Sequence, residues 1–257
     1  MIRFEAVTRN YGDTVAVRDL DLTVPPGELF AFLGPNGAGK TTTIKMLVSL
    51  LRPTRGTVTV CGHDTVSEPR EATCSVGYVP EEAFLYDKLS GREFLEFVAR
   101  LRGMDQRAAA RAIEEQTERF EMKDFLDELA ETYSHGMKQR LVFASALLHD
   151  PPILVVDEPT VGLDPKSVRL VKDLMQSRAA RGKTVFMSTH TLAIAEEIAD
   201  RIGIIDHGRM IFLGTLADLE RESSLEGRSL EQLFLNLTGN GNGRLAESCL
   251  HKPELER

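Results

Sequence analysis

The spacing of hydrophobic residues changes along this chain and predicts its elements. In the first 33 residues apolar positions alternate with polar ones until Pro25-Pro26-Gly27 interrupts the pattern. The alternating apolar residues are Val15, Val17, Leu20, Leu22 and Val24. Alternation of this kind is typical of half-buried strands, and it predicts an antiparallel β element at the N-terminus.

Three short runs are apolar at successive positions, which is the pattern of strands buried on both faces of a parallel sheet. They are Leu29–Leu33, Ile153–Val156 and Thr184–Met187. A helix is expected from Lys166 to Arg181, which would complete a βαβ unit. A further helix is expected over Thr43–Leu51, ending before Pro53, and a strand at Val58 and Val60. The predicted fold is therefore α/β, with a mostly parallel sheet and flanking helices.

From about residue 87 to 150 the period becomes helical. Ser90-Gly91-Arg92-Glu93 has the form of a capping box, and it precedes the helically spaced residues Phe94, Phe97, Val98 and Leu101. We interpret this region as an α-helical subdomain inserted into a domain of residues 1–220.

Residues 221–257 are expected to form a C-terminal helix, a linker and a tail. Ser229-Leu230-Glu231-Gln232 is a second capping box, and the apolar stripe after it consists of Leu230, Leu233, Phe234 and Leu237. The stripe favours packing on the chain's own body, with docking to a partner as the alternative. Gly239–Gly243, rich in glycine and asparagine, is typical of a flexible linker.

The charge, the cysteines and the hydrophobic content of the chain limit the kinds of partner it can bind. The 257 residues carry a formal net charge of −8, which argues against a nucleic-acid partner because phosphate neutralisation needs a basic face. Cys61, Cys74 and Cys249 are widely separated and suggest reduced cytosolic thiols. Neither a signal peptide nor a run of ~20 apolar residues is present, so we expect no direct membrane insertion. Another polypeptide would have to hold the chain at a membrane.

The strand pattern at Leu29–Leu33 leads into Gly34–Thr41, which fits the phosphate-binding pattern G-x-x-x-x-G-K-[ST]. Glycines let successive backbone N–H groups face one anion, the Lys40 ammonium can reach the outer phosphates, and the Thr41 hydroxyl can bind Mg²⁺. An accidental glycine-rich turn is the disfavoured alternative. The residues expected to bind the nucleotide here are Gly34, Pro35, Asn36, Gly37, Ala38, Gly39, Lys40, Thr41 and Thr42.

Two acids, Asp157 and Glu158, end the second apolar run. Asp157 is placed to hold Mg²⁺, and Glu158 is placed to accept a proton from a water that attacks the γ-phosphate. Taken alone, the pair could equally open a surface loop. The phosphate-binding loop upstream favours hydrolysis.

With these motifs, Tyr133–Arg140 resembles the signature sequence of ATP-binding cassette (ABC) transporters, whose usual form begins Leu-Ser-Gly-Gly-Gln. The resemblance covers roughly residues 1–220 and implies the nucleotide-binding subunit of such a transporter. In that family two subunits pair head to tail, and the signature serine and glycine of one close over the γ-phosphate held by the other. The resemblance assigns this role to Ser134 and Gly136, and it implies ATP and Mg²⁺ as cofactors.

Further positions match the family pattern. Tyr11 stands where an aromatic ring stacks on adenine, although a strand residue that packs on the body is the alternative. Gly162-Leu163-Asp164 resembles the loop that crosses the dimer interface, and His190 resembles the switch histidine that contacts the γ-phosphate. With Glu158 and Lys40, His190 completes the expected catalytic set.

Two positions depart from the family. Glu81 follows Tyr78-Val79-Pro80 where a glutamine is usual, and we hypothesise that its carboxylate binds or senses the metal. His135 replaces a signature glycine, where it could make the signature contacts weaker or pH-sensitive, or could simply face solvent.

The resemblance implies ATP hydrolysis that drives transport by a separate membrane-spanning permease, with the chain peripheral on the cytoplasmic face of the membrane. The Met-Lys-Gln-Arg end of the signature and the Ser-Leu-Glu-Gln-Leu-Phe segment resemble bacterial exporters of drugs, lipids, polysaccharides or ions. Two alternatives stay open: a non-transport ATPase of the same superfamily, and a soluble P-loop kinase or GTPase. The guanine motif Asn-Lys-x-Asp is absent from the sequence, which disfavours a GTPase.

Overall fold

An antiparallel sheet and a mostly parallel sheet pack together in the computed structural model, which describes residues 1–222 and 230–239. The antiparallel sheet has the order β2-β1-β4-β5. Its strands are β1 (Ile2–Tyr11), β2 (Thr14–Val24), β4 (Arg55–Val60) and β5 (His63–Asp64). The expected N-terminal antiparallel element is thereby confirmed.

The second sheet has the order β10-β9-β3-β8-β7-β6. Its strands are β3 (Leu29–Leu33), β6 (Val76–Val79), β7 (Ile153–Asp157), β8 (Thr184–Thr189), β9 (Arg201–Asp206) and β10 (Arg209–Gly214). All neighbouring pairs are parallel except β9 and β10, which are antiparallel. The three apolar runs of the sequence thus become adjacent central strands.

Strand β3 shows why these runs are continuous. Every residue of it is buried, and alternate residues enter different cores. Leu29 and Leu33 face a core built with the helices, whereas Phe30 and Phe32 face a core shared with the antiparallel sheet. On that second side the ring centroids of Phe30 and Phe32 lie 5.5 and 5.6 Å from that of Phe186.

The helix after the phosphate loop, α1 (Lys40–Leu47), begins earlier and ends earlier than predicted. The prediction of a helix to Leu51 was wrong because the chain leaves the helical conformation at Ser49, whose φ is 61°. Helix α2 (Pro69–Cys74) precedes β6, and α6 (Pro165–Ala180) connects β7 to β8 as expected. Helix α7 (Leu192–Ile198) follows β8.

The helical region between β6 and β7 is confirmed. It contains α3 (Gly91–Leu101), α4 (Gln106–Arg119), a 3₁₀ turn at Ala130–Thr132 and α5 (His135–Leu147). The Ser90 hydroxyl accepts from the Glu93 N–H and the Glu93 carboxylate accepts from the Ser90 N–H, so the predicted capping box forms. The domain boundaries at 87, 150 and 220 stay predictions.

The apolar stripe at the end of the chain packs on the chain's own body. Helices α8 (Leu216–Glu222) and α9 (Leu230–Gly239) are in contact, and α9 also contacts α7. Leu230 and Leu233 are fully buried there. Ser229, the side chain of Leu237 and the linker beyond Gly239 lie outside the described residues. A membrane-spanning helix is absent from residues 1–222 and 230–239.

Candidate functional site

The strand order brings the predicted site residues to one edge of the parallel sheet. Strand β3 lies next to β8, β8 next to β7, and β7 next to β6. Because the carboxyl ends of parallel strands share an edge, the segments that follow these strands must be neighbours. The phosphate loop follows β3, His190 follows β8, the two acids end β7, and Glu81 comes shortly after β6.

Lys40 is the first residue of α1 and is buried within the phosphate loop. Its ammonium donates to the carbonyl oxygens of Gly34 at 2.7 Å and Pro35 at 3.2 Å. Burial lowers the pKa of Lys40, and the charges of Glu158, Asp157 and Glu81 act in the opposite direction. The loop therefore holds a cation that faces the acids across the sheet edge. Thr41, one position further, is exposed in the first turn of the helix.

Asp157 is 2% exposed at the end of β7 and lies opposite Ser188 on β8. Burial raises the pKa of Asp157, and the charges of Glu158 and Glu81 add to this effect. The neighbouring Ser188 hydroxyl and the Lys40 ammonium lower it. The Asp157 carboxylate thus offers oxygen atoms for a metal ion, and the positive charge of Lys40 acts on it.

Glu158 has a different environment although it is the next residue. Its carboxylate lies 2.8 Å from Nδ1 of His190, and it also accepts from the Thr189 hydroxyl at 3.2 Å and the His190 backbone N–H at 3.3 Å. The Glu158 backbone adopts a φ of 49°, which turns the side chain away from the strand direction. The end of β8 therefore fixes the orientation of this carboxylate.

Glu81 is exposed, but its charge acts on residues of the same site. Its charge acts on the pKa of Lys40 and on that of Asp157. Burial, Asp157 and Glu81 together raise the pKa of Tyr78, at the end of β6, to about 12. A carboxylate thus occupies the place where a neutral amide is usual in the family.

Tyr11 lies at the end of β1, with 46% of its surface exposed. The Arg9 guanidinium stands 4.8 Å from the ring centroid. The β1–β2 hairpin that carries Tyr11 adjoins the phosphate loop, because Ala16 on β2 lies against Gly39. Its ring is therefore accessible on the hairpin, and its role toward adenine stays a prediction.

Ser134 and Gly136 lie at the first turn of α5 instead of at the phosphate loop. The exposed Ser134 caps this helix, its hydroxyl accepting from the Met137 N–H at 3.3 Å. His135 is also exposed, yet its Nε2 lies 3.2 Å from the Val161 carbonyl oxygen. His135 is therefore open to solvent, as one of the two interpretations expected, and its ring also contacts the loop that follows Glu158.

No sequence motif indicated a role for Ser188, Thr189 or Val161. Strand register could have identified Ser188 and Thr189, because residues that end adjacent parallel strands lie side by side. Nothing in the sequence pairs His135 with Val161, because the two are 26 positions apart in unrelated elements.

Comparison with known proteins now tests the resemblance. The sequence model of the family described as ABC transporter matches residues 17–161. The chain belongs to the ABC transporter family. As a member of this family it is an ATP-binding ATPase.

Relatives of similar sequence include ATP-binding proteins from bacteria. The daunorubicin/doxorubicin resistance ATP-binding protein DrrA of Streptomyces peucetius is 42% identical over 85% of this chain. The match covers 66% of that relative, slightly under two thirds of its length. The Nod factor export ATP-binding protein I of Burkholderia lata is 41% identical over 83% of the chain and 70% of its own length.

Solved structures agree with the fold. An ATP-binding subunit of an ABC transporter superposes with a TM-score of 0.87 at 32% identity, covering 92% of this chain and 99% of that one. A dimeric cassette, MJ0796, in a post-hydrolysis state with ADP and Pi superposes with a TM-score of 0.76 at 26% identity, covering 84% and 99%. This ABC protein therefore has the P-loop fold with the antiparallel element that its sequence predicted.

Proposed function

We propose that this ABC ATPase powers a separate membrane permease, in the direction of export, as a peripheral protein on the cytoplasmic face of the membrane. The observation that carries the proposal is the shared sheet edge, where Lys40 faces Glu158 and His190. The similarity to a drug-resistance protein and to a Nod factor export protein supports export.

In the proposed reaction the backbone N–H groups of Gly34–Thr42 and the Lys40 ammonium bind the phosphates. The Glu158 carboxylate accepts a proton from the water that attacks the γ-phosphate. His190 holds that carboxylate through Nδ1, and in this proposal it also contacts the γ-phosphate. Tyr11 provides an exposed aromatic surface for adenine.

The oxygen donors at the edge fit Mg²⁺, which takes one or two carboxylates and completes its shell with water and substrate phosphate. Asp157 supplies a buried carboxylate and Thr41 an exposed hydroxyl. Beside Asp157, the Ser188 hydroxyl is fully buried and lowers the pKa of the Asp157 carboxyl, which keeps that carboxyl available as an anionic ligand. We assign Thr41 and Asp157 as ligands, with Glu81 as a further metal-binding or metal-sensing group. A bound Mg²⁺ would neutralise charge that develops on the phosphates.

Two copies complete the site in this proposal. Ser134 and Gly136 open α5, where the helix N-terminus and the Ser134 hydroxyl offer hydrogen bonds to an anion. Within the described part of the chain, the Ser134 hydroxyl accepts from the Met137 N–H of α5, and a Cβ added at Gly136 would meet open space. In a head-to-tail homodimer they reach the γ-phosphate held by the other copy. The dimeric form of the MJ0796 cassette supports this arrangement.

The permease is expected to contact an exposed aromatic patch formed by Phe84, Tyr86 and Phe97. Phe84 is 81% and Tyr86 51% exposed, and the Tyr86 ring centroid lies 6.3 Å from that of Phe84 and 5.8 Å from that of Phe97. Phe84 follows Glu81 by three residues, so a partner on the patch would also touch the metal-sensing segment.

The first test is co-purification of the chain with the multi-spanning membrane protein encoded beside its gene. The F84S/Y86S variant is expected to bind that protein at least tenfold more weakly, because buried aromatic residues dominate interface affinity. Leu50→Ser is the control, since Leu50 is 67% exposed and follows α1, a different element from those that carry the patch. An ATPase that binds no membrane protein, or equal affinity of all three forms, would contradict the proposed coupling.

Glu81→Ala is expected to raise several-fold the Mg²⁺ concentration that gives half-maximal ATPase activity. The reason is that the Glu81 carboxylate attracts a divalent cation, while its exposure to solvent and the repulsion from the γ-phosphate keep the net effect small. Glu82→Ala, also exposed and one residue further, serves as the control. Unchanged Mg²⁺ dependence and unchanged transport in Glu81→Ala would exclude the metal-sensing role.

A further inference from the structure

The imidazole of His135 joins the first turn of α5 to the loop between β7 and α6. Its Nε2 lies 3.2 Å from the Val161 carbonyl oxygen. Because a carbonyl only accepts, Nε2 must carry the proton of this bond. The ring also lies against Gly162, where an added Cβ would stand 2.9 Å from both Cδ2 and Nε2. The glycine usual at this signature position could make neither contact.

The loop held in this way is the one that begins at Glu158. It folds through tight turns, with the Val161 N–H donating to the Glu158 carbonyl at 3.4 Å and the Leu163 N–H donating to the Thr160 carbonyl at 3.3 Å. The 158 end is fixed through the contact between Glu158 and His190. His135 therefore restrains the middle of the loop, three residues from the carboxylate.

Helix α5 also restrains the far end of the loop. The Asp164 carboxylate caps α6 by accepting from the Ser167 N–H at 3.1 Å and the Ser167 hydroxyl at 2.7 Å. The Arg140 guanidinium, on α5, donates to the Ser167 hydroxyl at 3.1 Å. One helix thus carries the signature turn at its start and contacts the catalytic loop at two points.

We propose that His135 is a positioning residue that couples Glu158, which acts on the nucleotide bound by its own subunit, to Ser134, which acts on the nucleotide of the other copy. The inference rests on the proposed function, because the two residues serve different nucleotides only in the head-to-tail dimer. His135 acts through the Val161–Gly162 backbone and touches no nucleotide itself. Movement of the signature turn on dimer closure is transmitted to the Glu158 loop through this contact.

The test compares His135→Leu, which fills the space without a donor, with His135→Gln, whose amide nitrogen reaches about as far as Nε2. ATPase rates of the full-length chain are measured against ATP concentration, and ATP affinity is measured with a fluorescent ATP analogue. We expect kcat of H135L to fall about tenfold, because one hydrogen bond is lost in the reacting state. The Kd for the ATP analogue is expected to stay within about twofold of wild type.

In the same measurements H135Q is expected to recover most of kcat. His63→Leu is the matched control, because it removes an imidazole that pairs with Glu68 and belongs to β5 of the antiparallel sheet. A residue with only a structural role would lower thermal stability without this split between kcat and Kd. Wild-type kcat in H135L, or equal loss in H135L and H135Q, would overturn the proposal.

A double-mutant cycle tests the contact itself. Gly162→Ala introduces a Cβ that collides with the imidazole, so it is expected to lower kcat more in wild type than in the H135G background. The strain of the positive φ at Gly162, which is 71°, is the same in both backgrounds and cancels. Additive effects would overturn the coupling. If Glu158→Gln abolishes turnover while this cycle is additive, the proposed function stands and only the inference about His135 fails.

Discussion

Glu158→Gln is expected to slow ATP turnover by roughly 10²-fold or more while ATP binding stays at the wild-type level. The amide has nearly the same shape as the carboxylate but cannot accept the proton of the attacking water. Nucleotide binding depends on the phosphate loop and Lys40, whose contacts with Gly34 and Pro35 do not involve Glu158. The rate is measured as phosphate release under saturating ATP, and binding with a fluorescent ATP analogue.

The structure strengthens this expectation because Glu158 is both buried and oriented. It is 6% exposed and accepts hydrogen bonds from Thr189 and from the backbone of His190. Glu82→Gln is the matched control, since it makes the same chemical change on an exposed residue near the same edge. Normal turnover in E158Q would remove Glu158 from the role of base and leave His190 as the group to test next.

The site was predictable from sequence to the extent that it depends on strand ends. Continuous apolar runs identify the central strands, and parallel strands place their following segments at one edge. The phosphate loop, Asp157 and Glu158 could therefore be placed together from the sequence pattern, whereas His190 was added by the resemblance to the family. The end of α1 could not be predicted from the sequence. The chain turns at Ser49 through a left-handed backbone conformation, which is uncommon for a serine.

Contacts between side chains and loops that are distant in sequence also could not be predicted. His135 meets Val161 because two separate elements, α5 and the 158–164 loop, pack side by side in three dimensions. The contact of the Arg9 guanidinium with Tyr11 is of the opposite kind, because it joins residues two apart on one strand. Motif spacing specifies which residues end strands, whereas the packing of elements decides which side chains touch.

Gly39→Ala is expected to lower the free energy of unfolding by about 3 kcal/mol and to weaken ATP binding more than tenfold. Gly39 adopts a φ of 112°, and an added Cβ would lie 2.5 Å from the Ala16 carbonyl oxygen and 3.2 Å from Val17 Cγ2. Since the Ala16 carbonyl belongs to a strand, the loop itself must move, and with it the N-terminus of α1.

Gly37→Ala separates this collision from backbone strain alone. Gly37 lies in the same loop with a φ of 81°, but an added Cβ there has no heavy atom within 4 Å. Its expected cost is only the ~1–2 kcal/mol of a left-handed alanine. Urea unfolding and fluorescent ATP-analogue titration of both variants provide the comparison. Equal stability and equal ATP affinity in the two would show that contact with β2 does not shape the phosphate loop, and that Gly39 is needed for its backbone conformation alone.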